Sequence, residues 1–283
     1  MVNRKLKTYL TNYFKTTHLQ LSPLSGGDIN EVYRIDTNTD SFVIKVNDSH
    51  KGPRMFAAEA NGLTALKNAQ AFKVPEVIEI GTIGNLSFLI LQFIPSGKKN
   101  TSFWSKFGEQ LAIMHQNSKP YYGFGEDNYI GSLPQFNTTC KSSFHFYQSQ
   151  RLEPQLRMAK DNGYSFSNIQ SFYKTLENII PEEPSALIHG DLWSGNFMVN
   201  TSGDPCLIDP AISYAPREMD ISMMHLFGGF PSEVFQVYNE LFPLQEGWKE
   251  RIELWQLYYL LVHLNLFGTS YLGSVKRILN KYA

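Results

Sequence analysis

Cysteine is nearly absent: Cys140 and Cys206 are the only two, far apart in the chain. That excludes a disulfide framework and any zinc spacing, and it suits an intracellular compartment that keeps thiols reduced. An excess of either charge is missing too, since 25 Lys and Arg stand against 26 Asp and Glu. Such a balance excludes a nucleic-acid binder driven by counterion release, and also a disordered polyelectrolyte. The start, Met1-Val2-Asn3-Arg4-Lys5-Leu6-Lys7, is basic but no apolar segment follows it. No secretory signal is read, and the chain is expected in the cytoplasm. Residues 254–275 carry no formal charge, yet Gln256, His263, Asn265, Thr269 and Ser270 interrupt them. A lipid-exposed helix would lose heavily on those groups, so the stretch reads as a buried helix followed by a turn, with no membrane partner.

What is present divides in two. A chain of 283 residues buries enough surface on folding to need no covalent staple, and it suits one large domain or two lobes. Leu6, Tyr9, Leu10, Tyr13 and Phe14 make a helical stripe. Residues 19–24, 31–36 and 41–46 read as strands, and residues 53–69 as a helix with Phe56, Ala60, Leu63 and Leu66 on one face. Residues 77–83 and 86–94 read as a hairpin around Gly84-Asn85. The composition shifts at Pro95-Ser96-Gly97-Lys98-Lys99. Beyond it, helices are expected at 103–114, 151–162, 169–180, 233–241 and 248–267. Short strands are expected at 186–189, 197–200 and 205–209. The expected organisation is a small sheet lobe over 1–94, a linker at 95–99, and a larger helical lobe over 100–283.

The densest chemistry lies in His189-Gly190-Asp191-Leu192-Trp193-Ser194-Gly195-Asn196, followed thirteen residues later by Asp209 in Leu207-Ile208-Asp209-Pro210. An Asp, an Asn five residues on, and an Asp on the next hairpin are the working parts of kinase-type phosphoryl transfer. In that pattern Asp191 accepts the proton of an acceptor hydroxyl, and Asn196 and Asp209 hold Mg²⁺ against the nucleotide phosphates. As isolated turn residues they would mean little; together they outweigh that reading. A second signal comes from the first half. Lys45 sits in the strand pattern Phe42-Val43-Ile44-Lys45-Val46, and Glu59 follows on the expected helix. A strand lysine paired with a helix glutamate holds nucleotide phosphates in kinases. Gly26-Gly27, between the first two strands, lack a Cβ and allow close backbone approach.

These motifs, with others in order along the chain, resemble the fructosamine-kinase family, a branch of the protein-kinase-like fold near aminoglycoside and choline kinases. The further matches include Met55-Phe56-Ala57-Ala58-Glu59-Ala60, Asn128-Tyr129-Ile130-Gly131-Ser132-Leu133-Pro134-Gln135, Arg151-Leu152-Glu153-Pro154-Gln155-Leu156, Arg217-Glu218-Met219-Asp220, Leu226-Phe227-Gly228-Gly229-Phe230 and Val262-His263-Leu264-Asn265-Leu266-Phe267-Gly268. The resemblance implies an α+β, two-lobed fold: a small, mainly antiparallel sheet lobe with one key helix, and a larger, mainly helical lobe. It implies ATP and Mg²⁺ as cofactors, and phosphorylation of ketosamines on lysine, free or in a glycated protein, as deglycation repair. It implies Asp191 as base, Asn196 and Asp209 as metal ligands, Lys45 as phosphate clamp and Glu59 as its partner. The segment Gln92-Phe93-Ile94 would bind adenine through backbone groups.

Asp28 follows Gly27 where family members often carry a cysteine, so no redox switch is carried over. Trp193 reads either as a sugar-stacking surface or as a packing anchor. His189 is expected to lock the loop by bonds to backbone and to Asp220. His263, on an apolar helix, reads as a core residue or as part of the acceptor site. The competing functions are a small-molecule kinase of the aminoglycoside or choline type and a non-catalytic nucleotide-binding pseudokinase.

Overall fold

Strand β3 (Ser41–Asp48) shows how the small lobe is built. Side chains alternate across a strand. Ile44 and Val46 therefore turn to one face, where they join Leu6 and Leu10 of helix α1 (Arg4–Tyr13). Val43 and Lys45 turn to the other, where helix α2 (Gly52–Asn68) packs with Phe56 and Leu63. The remaining strands are β1 (Gln20–Pro23), β2 (Glu31–Asp36), β4 (Val77–Ile83) and β5 (Leu86–Gln92). They form one antiparallel sheet in the order β1-β2-β3-β5-β4. This computed structural model describes residues 4–24, 29–48 and 52–283; Gly26 and Gly27 lie outside them.

The second lobe is helical around short strand pairs. Helix α3 (Phe103–Gln116) leads to a small hairpin, β6 (Asn128–Ile130) and β7 (Leu133–Gln135). Helix α4 (Ser143–Phe146) runs through a π-helical turn (Tyr147–Leu152) into α5 (Glu153–Asp161), and α6 (Ile169–Ile179) follows. Strand β8 (Ala186–Ile188) pairs with β11 (Ser213–Ala215), and β9 (Phe197–Val199) with β10 (Pro205–Leu207). Helices α7 (Glu218–Phe227), α8 (Ser232–Leu241), α9 (Trp248–Phe267) and α10 (Leu272–Lys281) complete it. One apolar core runs from Phe56 and Leu89 through Leu111 and Leu207 to Tyr238, so the two lobes share packed side chains.

Several expectations need correction. The helix read at 151–162 begins instead at Ser143, where the Ser142 hydroxyl accepts the N–H of His145. The π turn shifts the register, so the stripe fits no single helix period. The strand read to Ile94 stops at Gln92, and that read to Asp209 stops at Leu207. Helices α7 and α10 and the β6–β7 hairpin add to the elements expected. Helix α9 is charge-free after Glu253 because its flanks are covered: Leu254, Trp255, Leu257 and Tyr258 are all buried. No helix among the described residues is long and apolar enough to cross a membrane.

Candidate active site

Two loops meet at the ends of the paired short strands. Residues 189–196 link β8 to β9, and residues 208–212 link β10 to β11. Gly190 explains how closely they meet. Its φ is 83°, and a Cβ there would stand 2.0 Å from the Ala211 carbonyl oxygen. Only glycine takes that backbone at that distance. The Ala211 N–H donates to the His189 carbonyl (2.9 Å), closing the two loops together.

Asp220, in the first turn of α7, fixes the loop from below. Its Oδ2 accepts the His189 N–H (2.7 Å) and its Oδ1 the Gly190 N–H (2.9 Å). His115 Nε2 approaches the same carboxylate at 3.2 Å, and His115 Nδ1 lies 2.9 Å from the Tyr238 hydroxyl. His189 thus locks the loop as expected, bonding Asp220 through its own N–H and backbone through its ring, whose Nε2 donates to the Ile208 carbonyl (2.9 Å). A carbonyl only accepts, so Nε2 carries the proton and Nδ1 takes the Asp191 N–H (3.3 Å). Burial holds the ring below its ordinary pKa, which keeps it neutral in this role.

Asp191 and Asn196 face the cleft. Asn196 Nδ2 donates to the Asp191 carbonyl (2.8 Å) and to Asp191 Oδ2 (3.0 Å), which leaves the amide oxygen free. Burial pushes the Asp191 carboxyl up to about 7, against the Asn196 hydrogen bond, and Asp209 adds to the rise. Asp209 itself has a φ of 55°, in the left-handed region that Asp tolerates better than most residues. Leaving the strand there turns its carboxylate to Lys45.

Lys45 lies on the α2 face of β3 and meets Glu59 Oε1 at 2.7 Å and Asp209 Oδ1 in a short ion pair. Burial alone would lower the lysine's pKa, but the two carboxylates more than offset it and the ammonium is retained. Glu59 moves upward because it is buried, and because it shares that one cation with Asp209. All of these groups line one cleft of about 700 Å³ between the lobes. Among the described residues its charged lining is Lys45, Glu59, Asp191 and Asp209, while the far end is aromatic and aliphatic, with Tyr129, Phe227, Val262 and Tyr271.

Trp193 lies over Gly195, where an added Cβ would come within 2.3 Å of the indole, and it stays 40% exposed. It packs on the loop and also lines the cleft. His263 lines the same cleft. Of the hinge residues, Gln92 donates its N–H to the Glu76 carbonyl (2.8 Å). That amide is spent within the sheet, and Phe93 and Ile94 follow beyond the end of β5.

Asn128 and Gln135 acquire a purpose the sequence did not reveal. Asn128 Nδ2 donates to the Ile212 carbonyl (2.7 Å), and Gln135 Nε2 to the Ala211 carbonyl (2.9 Å). The Tyr258 hydroxyl donates to Gln135 Oε1 (2.7 Å). The small hairpin thus clamps the segment that follows Asp209. The available signal was a pair of amides flanking a glycine turn.

A strand lysine bridged to a helix glutamate and to an aspartate, facing an Asp–Asn loop across an interlobe cleft, defines a phosphotransferase of the kinase-like class. Comparison with known proteins narrows the class. The family model described as fructosamine kinase matches residues 1–283, and the chain belongs to that family. It is an ATP-dependent kinase. A probable ketoamine kinase of Enterococcus faecium is 38% identical over 92% of this chain and 94% of its own. A chloroplastic protein-ribulosamine 3-kinase of Arabidopsis thaliana is 35% identical over 96% of this chain and 85% of its own. The crystal structure of a candidate fructosamine-3-kinase of Haemophilus somnus 129PT superposes with a TM-score of 0.89 at 28% identity, covering 99% of this chain and 97% of that one. An aminoglycoside phosphotransferase in ternary complex with ADP and hygromycin B shares the fold alone, with a TM-score of 0.63 at 16% identity and 99% of each chain covered.

Proposed function

We propose that the cleft transfers the γ-phosphoryl group of ATP to a sugar hydroxyl of a ketosamine, a fructosamine or ribulosamine type of adduct on lysine. One observation carries the assignment of roles: Asp191, its carboxyl lifted to about 7, opens into the same cleft as the Lys45–Asp209 pair. Asp191 takes the hydroxyl proton as the acceptor oxygen bonds to phosphorus and the bond to the ADP oxygen breaks. A base poised near the working pH suits that step. Lys45, steered by Glu59, neutralises phosphate charge. Phe93 and Ile94 offer backbone groups to adenine, and Gly26-Gly27 precede β2 where the phosphates would be covered.

The donor set suits Mg²⁺. Asn196 spends its amide nitrogen on Asp191, and Asp209 spends Oδ1 on Lys45, so one hard oxygen of each remains. No group of three or more His, Cys, Asp or Glu able to hold a metal occurs among the described residues. A metal here would complete its shell with nucleotide phosphates and water, as Mg²⁺ commonly does. When bound, it supplies neutralisation of the phosphate oxygens.

The 3-hydroxyl is the proposed target, in keeping with the name of the plant relative. The phosphorylated adduct then eliminates inorganic phosphate, and water hydrolyses the product to a deoxyosone and the free lysine amine. We place the reaction in the cytoplasm, on free or protein-bound adducts, with residues 1–94 as the nucleotide side, 95–99 as the linker and 100–283 as the acceptor side. The test is ATP consumption by purified protein against fructose-, ribulose- and erythrulose-lysine, choline and kanamycin. Turnover on a ketosamine with phosphate at C3 is expected. Turnover confined to choline or kanamycin would overturn the reading.

A further inference from the structure

Gly62 stands in the interior of α2, where nothing in the backbone asks for glycine. An interior glycine weakens a helix relative to alanine. The reason for it lies across the lobe boundary. A Cβ on Gly62 would stand 3.1 Å from Pro210 Cγ, 3.7 Å from Pro210 Cβ and 3.8 Å from Ile212 Cγ1. The adjacent Asn61 Nδ2 donates to Glu126 Oε1 (2.5 Å), in the loop before β6. Helix α2 belongs to the sheet lobe by sequence, yet at residues 61 and 62 it rests on the helical lobe.

Both sides of that contact lead to Lys45. Gly62 lies one turn beyond Glu59, and residues three apart share a helix face. Pro210 directly follows Asp209. Glu59 and Asp209 are the two carboxylates that hold Lys45, the first at 2.7 Å and the second in the short ion pair. The separation of α2 from Pro210 therefore sets the separation of those carboxylates.

The loop side of the contact is poorly able to give way. Pro210 is buried and its ring is stiff. The next two residues are tied down: the Ala211 N–H to the His189 carbonyl, the Ala211 carbonyl to Gln135, and the Ile212 carbonyl to Asn128. Ile212 also packs in the shared core with Phe56 and Leu63. A side chain at position 62 would thus displace α2 rather than the loop, and carry Glu59 away from Lys45.

We propose that Gly62 is a positioning residue for phosphoryl transfer: its missing side chain lets α2 seat against Pro210, and that seat keeps Glu59 within reach of Lys45. This rests on the nucleotide role proposed for Lys45 and Glu59, and adds to it what holds the pair together.

The experiment reads MgADP affinity by calorimetry, with thermal melting beside it, so that no acceptor is needed. Gly62→Val is expected to weaken MgADP binding about 10-fold, and Gly62→Ala, which suits the helix better, about threefold. Pro210→Ala removes the Cγ that the new methyl would meet and leaves Cβ at an ordinary 3.7 Å. In that background Gly62→Ala should change the affinity by less than about 1.5-fold. The same threefold loss with Pro210→Ala present would overturn the contact. So would Gly62 variants that melt lower yet bind MgADP as wild type does. Glu59→Gln is the reference and should weaken MgADP about 10-fold. Wild-type affinity in Glu59→Gln would refute the role of the Lys45–Glu59 pair and this inference with it. A loss in Glu59→Gln with none in the Gly62 variants would overturn this inference alone.

Discussion

Asp191→Asn should make the enzyme slower and more stable at once. The carboxyl stands at about 7 in the folded chain against an ordinary 3.8. At about 1.4 kcal/mol per tenfold change in proton affinity, the charged form is disfavoured by roughly 4 kcal/mol. The side chain is partly open to the cleft, and screening by solvent cuts the figure to about 2 kcal/mol. The sign follows from the direction of the shift. Below about pH 4 the group is neutral folded or unfolded, and no penalty exists. Between about 4 and 7 the unfolded chain releases the proton while the folded chain keeps it, so stability falls as pH rises; above 7 the full penalty applies. Asparagine keeps an acceptor oxygen for Asn196 and carries no charge. Thermal unfolding without nucleotide should therefore show the variant raised by about 4 °C at pH 8 and nearly level with wild type at pH 4.5. Its kcat should fall by about 10²–10⁴. A variant less stable than wild type at pH 8, a gain independent of pH, or near-normal turnover would each refute the reasoning.

Asp209→Asn should abolish most Mg²⁺-dependent turnover and cost more than Asn196→Ala, because it removes a charge; undiminished turnover in excess EDTA would contradict this. Bacterially made, unphosphorylated protein should be fully active, since only Pro210 to Arg217 separate Asp209 from α7 and the Ala211 and Ile212 carbonyls are already tied; a large gain on phosphorylating Ser213 or Tyr214 would be the contrary result. Diamide and dithiothreitol should leave initial rates nearly equal: Cys206 is fully buried with its thiol pushed up by burial, and Cys140 is partly covered. A several-fold change tracking a disulfide dimer on non-reducing gels would show otherwise. Gly229→Ala should destabilise by at least about 1 kcal/mol and lower kcat, because its φ is 89° and an added Cβ would lie 2.6 Å from Ser194 Cβ; unchanged melting and rate would dismiss the contact.

How much could be read beforehand depended on whether the signal was local. Lys45 and Glu59 were legible because alternation along β3 and the helical face of α2 determine where each points. The meeting of Asp191 with Asn196 follows from five residues of one loop. The π turn at Tyr147–Leu152 was not legible, because one inserted residue breaks the period without leaving a breaker residue behind. Helix α7 was hidden because polar and apolar residues alike are buried there, Glu218 and Asp220 beside Met219 and Met223. Glu218 is covered by Arg251 (2.6 Å) and the Trp255 indole N–H (2.7 Å), partners more than thirty residues away. No amphipathic stripe marks such a helix.

The same contrast separates the residues proposed to do chemistry from the parts that hold them. Asp191, Asn196, Asp209 and Lys45 sit in short motifs, each recognisable from its neighbours. What aims them is long-range and polar. Asp220 draws two loop amides from below, Gln135 and Asn128 draw two carbonyls from above, and His115 and Tyr258 link those anchors to α3 and α9. Each anchor is a buried polar group whose loss would leave backbone partners unsatisfied. Loop position is thus tied to the packing of the helical lobe. The short segment between Asp209 and α7 holds one geometry because Asn128, Gln135 and the His189 carbonyl bond it directly, while Asp220 and His115 fix the 189–196 loop against which it lies.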